Sequence, residues 1–152
     1  MQQQALSAFV AWVRLDRALE AFNAQLRREH GITGLQLSVL QICAERPMLP
    51  LAALRKALVM HAATLGQAID ELRRKGLVIV RTDPRDRRAR MVGLTDAGAE
   101  LLARVPQAGP SRLRVLEAAD ATRLDQLRAA LDDAMELFGL EDWDPAKPDT
   151  AR

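Results

Sequence analysis

The sequence predicts a mainly α-helical fold with one small β-hairpin, and three observations carry that prediction. Apolar residues fill 49% of the 152 positions but aromatics only 3%, with no tyrosine, so the interior has to be built from aliphatic side chains that favour helices. Most of the chain repeats its apolar residues at intervals of three and four. One stretch breaks that period: LVIVRT at 77–82 is a β-branched run that can pair with RMVGL at 90–94 across the charged connection DPRDRRA. A chain of this length is expected to form a single domain, here 1–152, with a core of its own.

The elements follow in order. A first helix over about 4–28 carries two apolar stripes, Leu6, Phe9, Val10 and Val13 on one side and Trp12, Leu15, Leu19, Phe22 and Leu26 on another. One core cannot bury both, so the early half is expected to pack on something else, such as a second subunit. His30 and Gly31 end this helix. Thr33, with Gln36 three positions on, reads as a capping box that opens a second helix, which buries Leu37, Val39, Leu40 and Cys43 and stops at Pro47. LAALRKAL at 51–58, entered from Pro50, is a short third helix. VMH turns the chain into a fourth, ATLGQAIDELRRK, closed by Gly76.

The strands 77–82 and 90–94 make a two-stranded ribbon with a charged tip. Thr95 caps a fifth helix through Leu101, Leu102 and Val105, which Pro106 and Gly109-Pro110 interrupt; helix is expected to resume near Arg112. A last amphipathic segment, about 120–138, spaces Leu124, Leu127, Leu131, Ala134 and Phe138 by threes and fours. Residues 141–152, with two prolines, are expected to be a flexible tail.

The net charge of +2 conceals a segregation. Residues 55–90 hold ten Lys/Arg against four Asp/Glu, whereas 117–149 hold ten acids and three bases. A basic middle segment points to a polyanionic partner. No apolar run approaches a membrane span, the start MQQQALSAFV lacks the features of a secretory signal, and the single cysteine cannot form an internal disulfide; a cytoplasmic protein without a membrane partner is the expectation.

Short helix, tight turn, helix with a basic end, strand, charged tip, strand is the order of a winged helix-turn-helix. Within it, Leu72, Gly76, Leu77 and Val78, then Asp83, Arg85, Asp86 and Arg88, then Leu94, Thr95 and Gly98 match L-x-x-x-G-L-[VI], D-x-R-[DN]-x-R and L-T-x-x-G. By these motifs the chain resembles the MarR family of bacterial transcription regulators. The resemblance implies a winged helix-turn-helix lobe at about 33–98, dimerisation helices at about 4–28 and 112–140, and a homodimer. It further implies that the dimer represses a pseudo-palindromic double-stranded DNA operator until a small aromatic or phenolic acid effector, or an oxidant, releases it.

The residues themselves agree with a DNA-binding reading. If Leu65, Ile69 and Leu72 face the core, then Ala63, Gln67, Asp70 and Arg74 form an outward stripe suited to the major groove. Gln67 suits adenine, Ala63 or Thr64 a thymine methyl, and His61, at the helix start, a phosphate. Gly66 departs from the polar residue more usual there and weakens the helix. The same stripe on its own would also fit a solvated helix face. The wing favours DNA: Arg88, with Arg85 or Arg87 on adjacent phosphates, suits a narrow minor groove, while Asp86 orients Arg88 and Asp83 with Pro84 fixes the turn.

For the effector, Trp12, Arg14, Arg17, His30 and Met48 are candidates, although Trp12 also fits a core position, the arginines a solvated surface and His30 a helix end. Family members that sense peroxide do so through a cysteine near the start of the first helix, and no cysteine stands there; Cys43 reads as a buried inert thiol. One Cys and two His offer no metal-ligand spacing, and no cofactor is implied. The alternatives are a winged protein-interaction module without operator binding and, further off, an enzyme acting on a small acid, for which the sequence offers no nucleophile with a paired base and no phosphate loop.

Overall fold

The computed structural model describes residues 2–116 and 118–143. Its elements are α1 (Gln3–His30), α2 (Gly34–Ala44), β1 (Leu49–Pro50), α3 (Leu51–Leu58), α4 (Ala62–Arg74), β2 (Val78–Thr82), β3 (Arg90–Leu94), α5 (Asp96–Arg104) and α6 (Ala121–Leu137), with 3-10 turns at Gly109–Val115 and Ala118–Asp120 between the last two helices. The architecture is mainly helical with a small antiparallel sheet. None of the helices among the described residues is long and apolar enough to cross a membrane.

Local signals set most of the boundaries. The Thr33 hydroxyl accepts the Gln36 N–H at 3.1 Å while the Gln36 Oε1 accepts the Thr33 N–H at 3.0 Å, the capping box that opens α2. α1 and α4 run into Gly31 and Gly76, both in the left-handed region. Thr95 caps α5, its hydroxyl accepting the Gly98 N–H at 3.1 Å and donating to the Gly76 carbonyl at 2.7 Å, which ties the end of the hairpin to the end of α4. Gly98 is required there: a Cβ would stand 2.3 Å from the Leu77 carbonyl oxygen.

The core lies between α2, α3, α4, α5 and the sheet. Leu40, Leu54, Leu72 and Val92 are fully enclosed, and truncating such a leucine to alanine costs about 2–5 kcal/mol. α1 contributes Leu26 as its single buried residue and α6 contributes none, so both helices lie largely outside this core. A 28-residue helix is about 42 Å long, more than the lobe can cover. The exposed part carries Leu6, Phe9, Val10, Trp12, Val13 and Leu15. Trp12 is therefore not a core residue of the chain: it is 41% exposed and meets Phe138 of α6 with ring centroids 5.5 Å apart.

Two expectations change. The expected two-stranded ribbon is a three-stranded sheet in the order β1-β3-β2, with Leu49 opposite Val92 and Val80 opposite Val92 on the other side. A two-residue strand ending in proline carries no periodicity to read. Gly93 admits it, since a Cβ there would lie 2.8 Å from the Pro47 carbonyl oxygen. Nor does α-helix resume at Arg112. Residues 109–115 form a 3-10 turn in which the buried Ser111 hydroxyl donates to the Pro106 and Ala108 carbonyls, bonds that compete with a helical ladder. Of the expected tail 141–152, residues 144–152 lie outside the described residues.

Candidate nucleic-acid interface

α3 and α4 are joined by the turn Val59–His61. Leu65, Ala68, Ile69 and Leu72 hold α4 against the core, so Ala63, Thr64, Gln67, Asp70 and Arg74 are exposed on its far side, as the period demands. His61 is the N-cap residue, its carbonyl accepting the Leu65 N–H at 3.1 Å, and no acid occupies the first turn of α4. The positive end of the helix dipole is therefore not neutralised by an acid of its own first turn and favours an anion. Arg74 stands at the other end, about 16 Å along the axis from Ala63. Asp70, the one acid on the stripe, pairs with Arg73 at 3.7 Å.

The wing tip is closed by hydrogen bonds to its two aspartates. The Asp83 carboxylate accepts the Arg85 N–H at 2.8 Å, the Asp86 carboxylate accepts the Arg88 N–H at 2.9 Å, and the Asp83 N–H donates to the Ala89 carbonyl at 2.9 Å. Asp86 thus orients Arg88 through its main chain, a charge-assisted bond from the Arg88 N–H to the carboxylate. With both aspartates turned to the backbone, Arg85, Arg87 and Arg88 are exposed, and among the described residues no carboxylate forms an ion pair with them.

Wing and helix meet in one cleft of about 300 Å³, lined by Arg55, Arg88 and Arg90 over Leu51, Ala62 and Leu65. A second, of about 550 Å³, lies between α3 and the start of α4, lined by Arg55, Lys56, Val59 and His61. Arg55, Lys56 and Arg90 were absent from the residues singled out by sequence. The basic count over 55–90 includes them, and the spacing of Leu51, Leu54 and Leu58 turns Lys56 outward on α3 and sets Arg55 on the flank of the apolar stripe. The structure thus brings Arg88 and Arg90 of the wing to a cleft shared with Arg55 of α3 and with Ala62 and Leu65 of α4, while Ala63, Thr64, Gln67, Arg85 and Arg87 are each exposed.

The five effector candidates are not brought together within the chain. Trp12 lies against α6, and His30 is about 27 Å further along α1. Arg17 pairs with Glu20 at 3.3 Å, Arg14 is exposed, and Met48 packs beside Gly93 of β3. Cys43 is 2% exposed, and burial pushes its thiol up to about 11. No group of three or more His, Cys, Asp or Glu among the described residues could hold a metal ion.

Comparison with known proteins gives a consistent picture. Residues 30–89 match the family model described as MarR family. The transcriptional regulator HosA of Escherichia coli O111:H- is 35% identical over 102 residues, covering 66% of this chain and 76% of that protein. A protein of Thauera aromatica, described as a transcriptional regulator for the hcr operon, is 31% identical over 91 residues, 60% of this chain, which spans 55% of that relative's length. Among solved structures, Sco3205 of Streptomyces coelicolor, a MarR family transcriptional regulator crystallised in complex with DNA, superposes with a TM-score of 0.67, 21% identity and 89% coverage of both chains. That likeness concerns the fold.

Proposed function

Because this chain belongs to the MarR family, whose members are transcription regulators and not enzymes, we propose that it is a sequence-specific DNA-binding regulator that works as a homodimeric repressor. One observation carries the proposal most: both wing aspartates are spent on main-chain N–H groups, which leaves Arg85, Arg87 and Arg88 exposed without an ion pair among the described residues, Arg88 lining the cleft shared with the start of α4. Cations that repel one another on an isolated ribbon become affinity when phosphates neutralise them.

α4 lies in the major groove, with Gln67 on an adenine edge and Ala63 or Thr64 on a thymine methyl. His61, Arg55 and Lys56 meet phosphates at the helix start. Arg88 enters the adjacent minor groove, flanked by Arg85 and Arg87 on its phosphates. One such lobe makes few contacts. Two, related by a dyad, address successive major grooves about 34 Å apart, which matches a pseudo-palindromic operator. The exposed apolar faces of α1 and α6 supply the dimer contact, since monomers rarely leave so much apolar surface uncovered. A small aromatic or phenolic acid that prefers a dimer with wrongly spaced recognition helices releases the operator.

A mobility-shift assay on the DNA upstream of the protein's own gene, with excess random competitor, tests the proposal. A single retarded complex containing two chains is expected. A protein that retards no duplex is an interaction module with a winged shape.

A further inference from the structure

The recognition helix α4 is tied to α2 by a chain of three side chains. Gln36, in the first turn of α2, is only 1% exposed. Its Oε1 is committed to the Thr33 N–H at 3.0 Å, so its Nε2 must face the other way, and there it donates to Oε2 of Glu71 at 2.6 Å, across 35 residues of sequence. The second oxygen of Glu71, Oε1, accepts from Nε2 of Gln67 at 3.4 Å, one turn earlier on α4. Lys75 adds a further tether, its Nζ donating to the Gly31 carbonyl.

Chemistry fixes the sense of every link. A side-chain amide standing alone is close to symmetric, and rotating it by half a turn exchanges donor for acceptor. A carboxylate only accepts, so Glu71 admits the Nε2 of Gln67 and rejects its Oε1. Glu71 is held in turn, because Gln36 is buried with its oxygen already taken and has one way to satisfy its amide hydrogens. Gln67 then gives one amide hydrogen to Glu71 and keeps the other, together with its oxygen, for the groove. A donor and an acceptor side by side complement N7 and N6 of adenine.

We propose that Gln36 and Glu71 are positioning residues that lock the amide of Gln67 in its adenine-reading sense, so that a buried residue of α2 sets base specificity on the surface of α4. The inference rests on the DNA-reading role given to Gln67 above. It differs from that role in what it requires: discrimination at one base pair depends on two residues that touch no base.

The full chain is used to select binding duplexes from a random pool, and each base pair of the selected half-site is then replaced in turn. Wild-type protein is expected to favour A·T at one position by at least about fivefold, and Gln67→Ala to abolish that preference. Glu71→Ala, Glu71→Gln and Gln36→Leu are each expected to reduce it to within about twofold, while affinity for random-sequence DNA is kept or raised and its salt dependence is unchanged. Glu71→Gln is the decisive variant if the others fold poorly: it keeps the shape of Glu71 but sets an NH₂ group against one of two donors. A Glu71→Gln protein that retains wild-type preference at the position lost in Gln67→Ala overturns the inference, as does a preference that survives Gln67→Ala. Failure of wild-type protein to select any sequence removes the DNA-reading function itself and this inference with it.

Discussion

At the scale of single residues, the wing shows how two acids can serve a cationic function. Asp83 and Asp86 each close a turn by accepting an N–H two residues on, so their charge is partly spent before it can neutralise a neighbour. Arg88→Ala is therefore expected to lower operator affinity at least about tenfold at moderate salt and to flatten the log–log salt slope by about one, the loss of one phosphate-range cation. Equilibrium titration at several salt concentrations checks both, and an unchanged affinity would take Arg88 out of the interface. Cys43 is the opposite kind of residue. Burial lifts its thiol to about 11 from an ordinary value near 9, so the folded state favours the neutral form. The stability drawn from it is complete below about pH 9 and is lost as pH rises through about 11. Iodoacetamide at pH 8 is expected to label native protein far more slowly than denatured protein; equal rates would refute an inert thiol.

At the scale of elements, the turn between α3 and α4 holds a strained residue. Val59 is β-branched yet sits at φ 48°, and its side chain is half exposed, so it gains little packing in return. Val59→Asn, which tolerates that conformation, is expected to stabilise the protein by about 1 kcal/mol, read from the urea midpoint; a lowered midpoint would mean that packing outweighs strain. α6 makes a second case. Leu127, Leu131, Met135 and Phe138 are all more than 40% exposed on a helix with no buried residue, so Leu131→Glu is expected to yield monomers by light scattering and to abolish operator binding. A dimer that persists would place the interface elsewhere.

The same scale decides what the sequence could convey. Elements marked by a local signal were legible almost to the residue: the Thr33–Gln36 capping box, the eight residues of α3, the Thr95 cap and the β-branched run of β2. β1 was not, because two residues have no period, and the 3-10 turn at 109–115 was not, because Ser111 bonds back to the Pro106 and Ala108 carbonyls, a local alternative to the helical ladder that apolar spacing does not reveal. In the candidate site, the outward stripe of α4 and the wing arginines followed from spacing and charge. The Glu71–Gln36 bond did not, since nothing in a sequence signals a contact across 35 residues.

At the scale of the whole molecule, charge and apolar surface are divided along the chain: the arginines of 55–90 sit on the recognition helix, its neighbour and the wing, whereas α6 carries Asp125, Asp132, Asp133 and Glu136. Such an asymmetry orients a protein toward a polyanion with its acidic end directed away. The central claim is that two lobes grip one duplex together through these cations. Anisotropy titration of the dimer on its selected operator and on a scrambled duplex, from low to moderate salt, tests it most directly. If Arg55, Lys56, Arg85, Arg87 and Arg88 of each chain each neutralise one phosphate, the log–log slope is expected to be about −9 on both duplexes, with the operator bound at least about a thousandfold more tightly. A slope near zero, or equal affinity for the two duplexes, would contradict it.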